Sequence, residues 1–365
     1  MIEQDYTVNR QHFIEAAKLA GAKLFEIPYK RIIPNASSLV TDVAVLGEEN
    51  ASQVVVIVSG VHGVELPAGS YLQQIWLKEL QKSLSDFKDT KFVFVHALNP
   101  HGAAFGMRTD WDMNGQGNID PARNFVDFKT ASNTANVGIE NALKDVDLSF
   151  SSSVKMWSKL LYSAFIVQGK KDFKRGFVRG QYTNPDIPYF GGTSPSLTRL
   201  TWDKIIEDNV RTQFVKKIWH FDCHTGDGPF GLLQLYINDK QGAHVLRDAS
   251  ELMPKEKIQM TSSYFADIAG DIVDYWSELN LRDIQVTPIT LEFGTSQAII
   301  EGIDVLNAIL TRTILQNRYD DQHPKSEKII QRMRNAFAPQ ETEWKKMVET
   351  QSHDVWKKLK LSLKI

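Results

Sequence analysis

The chain has 365 residues, with 42 Lys and Arg against 44 Asp and Glu, and a single cysteine, Cys223. Such a length can bury a sizeable core in one large or two modest domains, and the balanced charge gives no chain-wide attraction to nucleic acid or an anionic membrane. One cysteine excludes a disulfide framework and any multi-cysteine zinc site. The opening segment MIEQDYTVNRQHF is acidic and polar, unlike a signal peptide, and the longest apolar run, Val54–Val58, is too short to span a bilayer. The expectation is a cytoplasmic, enzyme-sized protein with no nucleic-acid or membrane partner.

In chain order, runs rich in β-branched residues predict strands at Val40–Leu46, Gln53–Ser59, Lys91–Leu98, Lys217–Cys223, Leu232–Asn238 and Ile284–Phe293. Helical patterns fall between them, at Leu66–Leu84, Val154–Val167, Leu197–Lys216, Ile268–Leu279 and Ser296–Thr313. This alternation predicts an α/β fold with a mixed, mostly parallel central sheet and helices on both faces. The run Gln53–Ser59 is apolar almost throughout, as a central strand covered on both sides requires. Ser149–Gly192 is less regular, and its basic cluster of Lys170, Lys171, Lys174 and Arg175 reads as a solvated loop. From His323 onward two charged helices are expected, split near Ala338–Pro339, with Trp344, Met347, Val348, Val355 and Leu359 as a packing stripe. The expected organisation is an α/β domain over residues 1–320 and a helical extension, 321–365, packed on it.

Ligands in open α/β sheets gather beyond the C-terminal ends of strands. There the chain places Gly60-Val61-His62-Gly63-Val64-Glu65, Asn99-Pro100-His101-Gly102 and His224-Thr225-Gly226-Asp227, and the last predicted strand carries Glu292. Two imidazoles and a carboxylate suit a catalytic Zn²⁺ with one position left for water. His62 and Glu65, three apart on a tight turn, can face one ion, and His224 would arrive from a neighbouring strand. The alternative for His62 and Glu65 is a hydrogen-bonded loop pair. Elsewhere in the chain His12 and Glu15 share the spacing inside a predicted helix with no strand before it, and read as surface residues. Glu292 is either a core carboxylate paired with an arginine or a general base whose pKa is raised by apolar neighbours. Arg108 and Arg123 are each either a surface ion pair or a substrate-carboxylate clamp or oxyanion stabiliser.

Asp110, Asp112 and Asn114 match the opening of a calcium loop, but its twelfth position is Pro121 where a bidentate Glu belongs. His96 and His101 suit turn support. Cys223 alternates to the face opposite His224, whereas Asp222 shares that face and is placed to orient its imidazole. Tyr182, Tyr189, Tyr264 and Tyr275 are all candidate proton donors. No G-x-S-x-G elbow follows any strand, which disfavours a serine hydrolase.

The GVHGVE loop, the NIDPARNF segment, the HFDCHTGDGP loop and the TLEFGT strand, in that order, resemble the zinc metallocarboxypeptidase superfamily. They look most like its bacterial branch of unknown function, which is related to the succinylglutamate desuccinylase–aspartoacylase group. The resemblance covers about Val54 to Thr295. It implies His62, Glu65 and His224 as ligands of one Zn²⁺ and Glu292 as general base. It further implies Arg123 as a substrate-carboxylate contact and Arg108 as the arginine that polarises the scissile carbonyl. Where the family usually places Asn before the second arginine, this chain has Ala122, so one donor to a substrate carboxylate is missing. The implied reaction is amide hydrolysis on a small peptide near its free carboxylate. The alternatives are deacylation of N-acyl amino acids and a non-catalytic binding protein on the same scaffold.

Overall fold

Apolar, β-branched runs separated by turn residues build one mixed sheet of eight strands among the described residues. These strands are β1 (Lys23–Pro28), β2 (Val40–Gly47), β3 (Gln53–Ser59), β4 (Thr90–His96), β5 (Lys217–Pro229), β6 (Leu233–Ile237), β7 (Ile258–Met260) and β8 (Gln285–Ser296). The computed structural model describes residues 2–31, 38–238, 242–260, 268–279, 281, 283–296, 299–319 and 322–363. Spatial order is β1-β2-β4-β3-β5-β8-β6-β7. The four central strands β4, β3, β5 and β8 run parallel, while β1, β2 and β6 pair antiparallel with their inner neighbours.

Strand β3 shows why the sheet is covered twice. Val55 and Ile57 enter one core with Trp76, Phe94 and Phe221, and Val54, Val56 and Val58 enter a second with Val95, Trp202 and Trp276. Successive side chains point to opposite faces, so a run that is apolar at every position needs a layer on each side. The first layer contains α1 (Tyr6–Leu19), α2 (Leu66–Ser83), α8 (Ala243–Leu252) and α12 (Thr342–Ser362). The second contains α7 (Leu197–Ile205) and the short α9 (Ile272–Tyr275). Between β4 and β5 lie α3 (Pro100–Phe105), α4 (Val137–Leu143), α5 (Phe150–Tyr162) and α6 (Lys170–Val178). Ile139, Leu143, Met156 and Leu160 from α4 and α5 pack with Leu310 and Ile314 of α10 (Ile299–Arg318) in a separate apolar cluster.

The C-terminal segment folds as α11 (Ser326–Phe337) and α12, split where Ala338–Pro339 was expected to break it. Trp344, Val348, Val355, Trp356 and Leu359 are buried in the first core. The Trp356 ring lies 5.5 Å from that of Trp76, whose indole donates to the Ser352 carbonyl at 3.0 Å. The expected boundary between residues 320 and 321 lies outside the described residues.

Several elements differ from expectation. The exposed edge strand β1 alternates weakly in burial, and β7 is only three residues long, so neither carries a strong strand pattern. Strand β5 runs six residues beyond Cys223, because pairing with β8 continues through His224, Thr225 and Gly226. The expected helix at 268–279 contracts to α9. The basic cluster within Ser149–Gly192 belongs to α6, where a loop was expected: Phe173 is buried and anchors one face of a helix whose other face carries the cations.

Candidate metal centre

The chain leaves β3 at Ser59 and turns through Gly60, which has φ +72°, into a 3₁₀ turn over Gly63–Glu65 and then α2, with Pro67 in its first turn. The turn is pressed against α3 so closely that a Cβ on Gly63 would stand 2.1 Å from the Ala103 nitrogen, which only glycine accommodates. This geometry carries His62 and Glu65 to the end of the central strands. From the next strand, β5, comes His224, whose register partner on β8 is Glu292. Paired residues on neighbouring parallel strands project to the same face, so Glu292 stands beside His224.

His62, Glu65 and His224 are buried and offer ligand atoms that all lie within 4.8 Å of one another. Glu65 bridges the histidines, with Oε1 3.0 Å from His62 Nδ1 and Oε2 2.8 Å from His224 Nδ1. Each imidazole is held on its far side by an aspartate. His62 Nε2 is 2.9 Å from Asp120 Oδ1, and His224 Nε2 is 2.6 Å from Asp222 Oδ2. With Nε2–H donating to the aspartate, Nδ1 is the nitrogen each ring turns to the space it shares with Glu65. Arg108 Nη2 also lies 2.9 Å from His62 Nε2, but two donors cannot bond each other, so the Asp120 contact is the favourable one.

The donor set fits a divalent ion. His62 Nδ1 is buried and makes no hydrogen bond. Ligand atoms about 2.1 Å from one tetrahedral ion stand roughly 3.4 Å apart, and one atom from each of the three residues lies within 4.8 Å of the others. Two nitrogens and a carboxylate oxygen are also the borderline-soft set that zinc accepts.

Charge in the site is strongly organised. Burial works against ionisation of Glu65, yet His62, Arg108 and His224 hold its pKa well below the ordinary value. Burial likewise opposes a charged His224, and Asp222 and Glu65 outweigh it, raising its pKa well above the usual 6.5. A cation at Nδ1 would take the place of that proton. For Glu292, burial and then the negative charge of Glu65 push the carboxyl well above its ordinary range. Its Oε1 accepts the Asp227 amide N–H at 2.9 Å. Asp120 is held low, because His62, Arg123 and Arg108 overcome its burial.

The two arginines occupy different places. Arg108 pairs through Nη1 with Glu65 Oε1 and lies 3.7 Å from Asp120, so its charge sits directly beside the histidines. Arg123 is buried, and its guanidinium is clamped by backbone: Nε and Nη2 donate to the Val178 carbonyl at 3.0 and 2.8 Å, and Nη1 donates to that of Ala122 at 2.7 Å. Both face a cavity of about 440 Å³ that also holds His62, Glu65, His224, Glu292 and Tyr189.

Of the candidate tyrosines, Tyr189 alone is in this cavity among the described residues, its ring 5.7 Å from the Arg108 guanidinium and 5.4 Å from that of Arg123. Tyr182 donates to the Arg123 carbonyl and Tyr275 to Asp203, and Tyr264 lies outside the described residues. His96 bonds Ser70 and stacks on Phe13, and His101 stacks on Tyr29, both away from the site. Asp110 binds Thr198 and Tyr29, while Asp112 accepts the Asn114 and Gln116 amides. These aspartates therefore brace the loop. Cys223 is buried on the opposite face of β5, in the first core.

Sequence reasoning did not single out Asp120 or Phe337. Asp120 lies in the quoted NIDPARNF segment, three residues before Arg123. Phe337, at the end of α11, reaches the cavity because its carbonyl accepts the Thr225 hydroxyl at 2.6 Å.

Fold and site together define an α/β protein with a candidate two-histidine, one-carboxylate metal centre at the C-terminal edge of its central strands. The chain belongs to the family described as "Protein of unknown function (DUF2817)", whose profile matches residues 3–351. No curated protein matches it. Solved structures to which it is similar include bovine thrombin-activatable fibrinolysis inhibitor in complex with tick carboxypeptidase inhibitor, at 11% identity and TM-score 0.46, covering 99% of this chain and 98% of that one. Carboxypeptidase A from Helicoverpa armigera is similar at 13% identity and TM-score 0.47, covering 93% and 75%. A putative succinylglutamate desuccinylase/aspartoacylase from Shewanella frigidimarina is similar at 17% identity and TM-score 0.36, covering 80% and 70%.

Proposed function

We propose that the protein is a zinc-dependent hydrolase that cleaves an amide bond close to a free carboxylate, as a carboxypeptidase does. The observation that supports this most is the convergence of His62, Glu65 and His224, each imidazole backed by an aspartate, with Glu292 in the same cavity. A zinc ion held by those three residues would supply a Lewis acid for the carbonyl and acidify water. The chain's own groups do the rest. With Oε1 of Glu292 engaged by the Asp227 amide, Oε2 is the atom that takes the proton of the attacking water and hands it to the leaving amine. Arg108 sets a permanent positive charge beside the reacting carbonyl and offsets oxyanion charge. Arg123, locked by the Ala122 and Val178 carbonyls, retains one further hydrogen on each of Nη1 and Nη2 to grip a substrate carboxylate. Ala122 adds no side-chain donor to that grip.

A second reading, N-acyl amino acid deacylation, is favoured by the walls of the cavity. Phe177, Leu306, Ile309 and Phe337 give one side of a space of about 440 Å³ an apolar lining, a volume that suits a short substrate. On either reading, residues 321–365 form an extension of the 1–320 unit that contributes Phe337 to the site. The test is a panel of peptides with free or amidated C-termini and of N-acyl amino acids, assayed with and without chelator. Glu292→Gln is expected to keep the metal and lose roughly 10²–10⁴-fold in kcat. Wild-type turnover in that variant, or in metal-free protein, contradicts the assignment.

A further inference from the structure

Single exposed hydrophobic residues are ordinary on a protein surface, whereas a contiguous band is not. Of sixteen large hydrophobic side chains exposed among the described residues, seven fall between residues 150 and 167. Phe150 is 83% exposed, Ile166 70%, and Val154, Leu161, Tyr162, Phe165 and Val167 between 48% and 61%. Phe150, Val154, Leu161 and Phe165 recur at i, i+4, i+11 and i+15, a single stripe along α5 and the π turn that follows it. The core does not need this stripe, because Met156 and Leu160 on the other side of the helix already pack with Leu310 and Ile314. The helix therefore carries two apolar faces, one of them turned to solvent.

Charge around the outward face is as uneven as its polarity. Residues 150–179 hold seven basic side chains and one acid, Asp172, in a chain whose net charge is −2. Lys155, Lys170, Lys171, Lys174 and Arg175 are exposed. The Lys170 ammonium stands 4.5 Å from the Phe165 ring, so cation and apolar surface belong to one patch. These apolar side chains line neither the cavity of the metal site nor the polar one beside α6, where a docked helix or strand would be gripped. Apolar side chains that project among lysines match the boundary of an anionic bilayer, where the former enter the acyl edge and the latter meet phosphates.

We propose that residues 150–175 are a peripheral docking face for an anionic lipid bilayer. No spanning segment is involved, since no helix among the described residues is long and apolar enough to cross a membrane. Lys174 in this segment, and Phe177 and Val178 just beyond it, line the cavity, so docking places one cavity wall at the lipid surface.

The test is co-sedimentation of the full chain with vesicles of equal parts phosphatidylglycerol and phosphatidylcholine, against phosphatidylcholine alone, at low and high salt. The expected result is binding to the anionic vesicles, weaker by about tenfold or more on neutral vesicles and at high salt. Phe165→Ser with Ile166→Asp, and separately Lys170→Glu with Lys171→Glu, are each expected to weaken binding by about tenfold or more while leaving the melting temperature unchanged. The proposal is overturned by any of three results: no sedimentation with anionic vesicles, equal binding to neutral ones, or binding that neither variant reduces. A dimer in light scattering that the Phe165/Ile166 variant dissociates, without vesicle binding, overturns it by assigning the face to a second copy of the chain.

Discussion

Each histidine of the candidate centre is oriented by a partner on the side of its ring away from Glu65. Asp120 and Asp222 hold Nε2, which turns Nδ1 toward Glu65. Loss of such a partner typically weakens metal binding by about 10–100-fold. Asp120→Ala and Asp222→Ala are each expected to do so in competition titrations with a chromophoric chelator, and unchanged affinity in both would remove their orienting role. The two aspartates differ in how far the sequence exposes them. Asp222 lies two residues before His224, and strand alternation puts both on one face, so it can be read directly. Asp120 meets His62 only because two loops 58 residues apart converge, and no local pattern reports that. His62, Glu65, His224 and Glu292 were legible for the same reason as Asp222: each sits at or just past a strand whose apolar run is plain. Arg123 was legible as a residue, but the backbone carbonyls that fix its guanidinium come from segments whose path the sequence does not reveal.

Among the elements, the buried parallel strands announce themselves through continuous β-branched runs, and β3 keeps its expected bounds, Gln53–Ser59. Edge strands do not, because one solvated side and a short length erase the pattern, as in β1 and β7. The stripe on α12 was legible from its helical spacing, and its depth in the fold follows from the aromatic cluster it completes. Trp356 packs against Trp76, Phe87 and Phe92, with ring separations of 5.5, 6.0 and 6.2 Å. Trp356→Ala is expected to cost about 3–5 kcal/mol in urea unfolding, the usual price of emptying a buried aromatic site. A loss below 1 kcal/mol, roughly that of a surface substitution, would show that α12 is dispensable to the core.

At the scale of the whole molecule, three histidines outside the metal centre make stability depend on pH. Burial lowers the pKa of His96 and His101 to about 3 and of His220 to about 4. All three stay neutral when folded but take up protons near 6.5 when unfolded, so stability is complete above that pH. It is lost as pH falls from about 6.5 toward 4, by about 1.4 kcal/mol per unit for each histidine. Denaturant midpoints measured across this window should therefore fall steeply, and His96→Gln should flatten the slope by one proton. An unchanged slope in that variant would contradict the burial of an uncharged His96. The central claim, that residues 62, 65 and 224 grip one divalent ion, is tested most directly by elemental analysis of the purified chain beside His224→Ala. Close to one zinc per chain, lost in the variant, is the predicted result; no bound metal after zinc loading, or equal metal in both proteins, contradicts it.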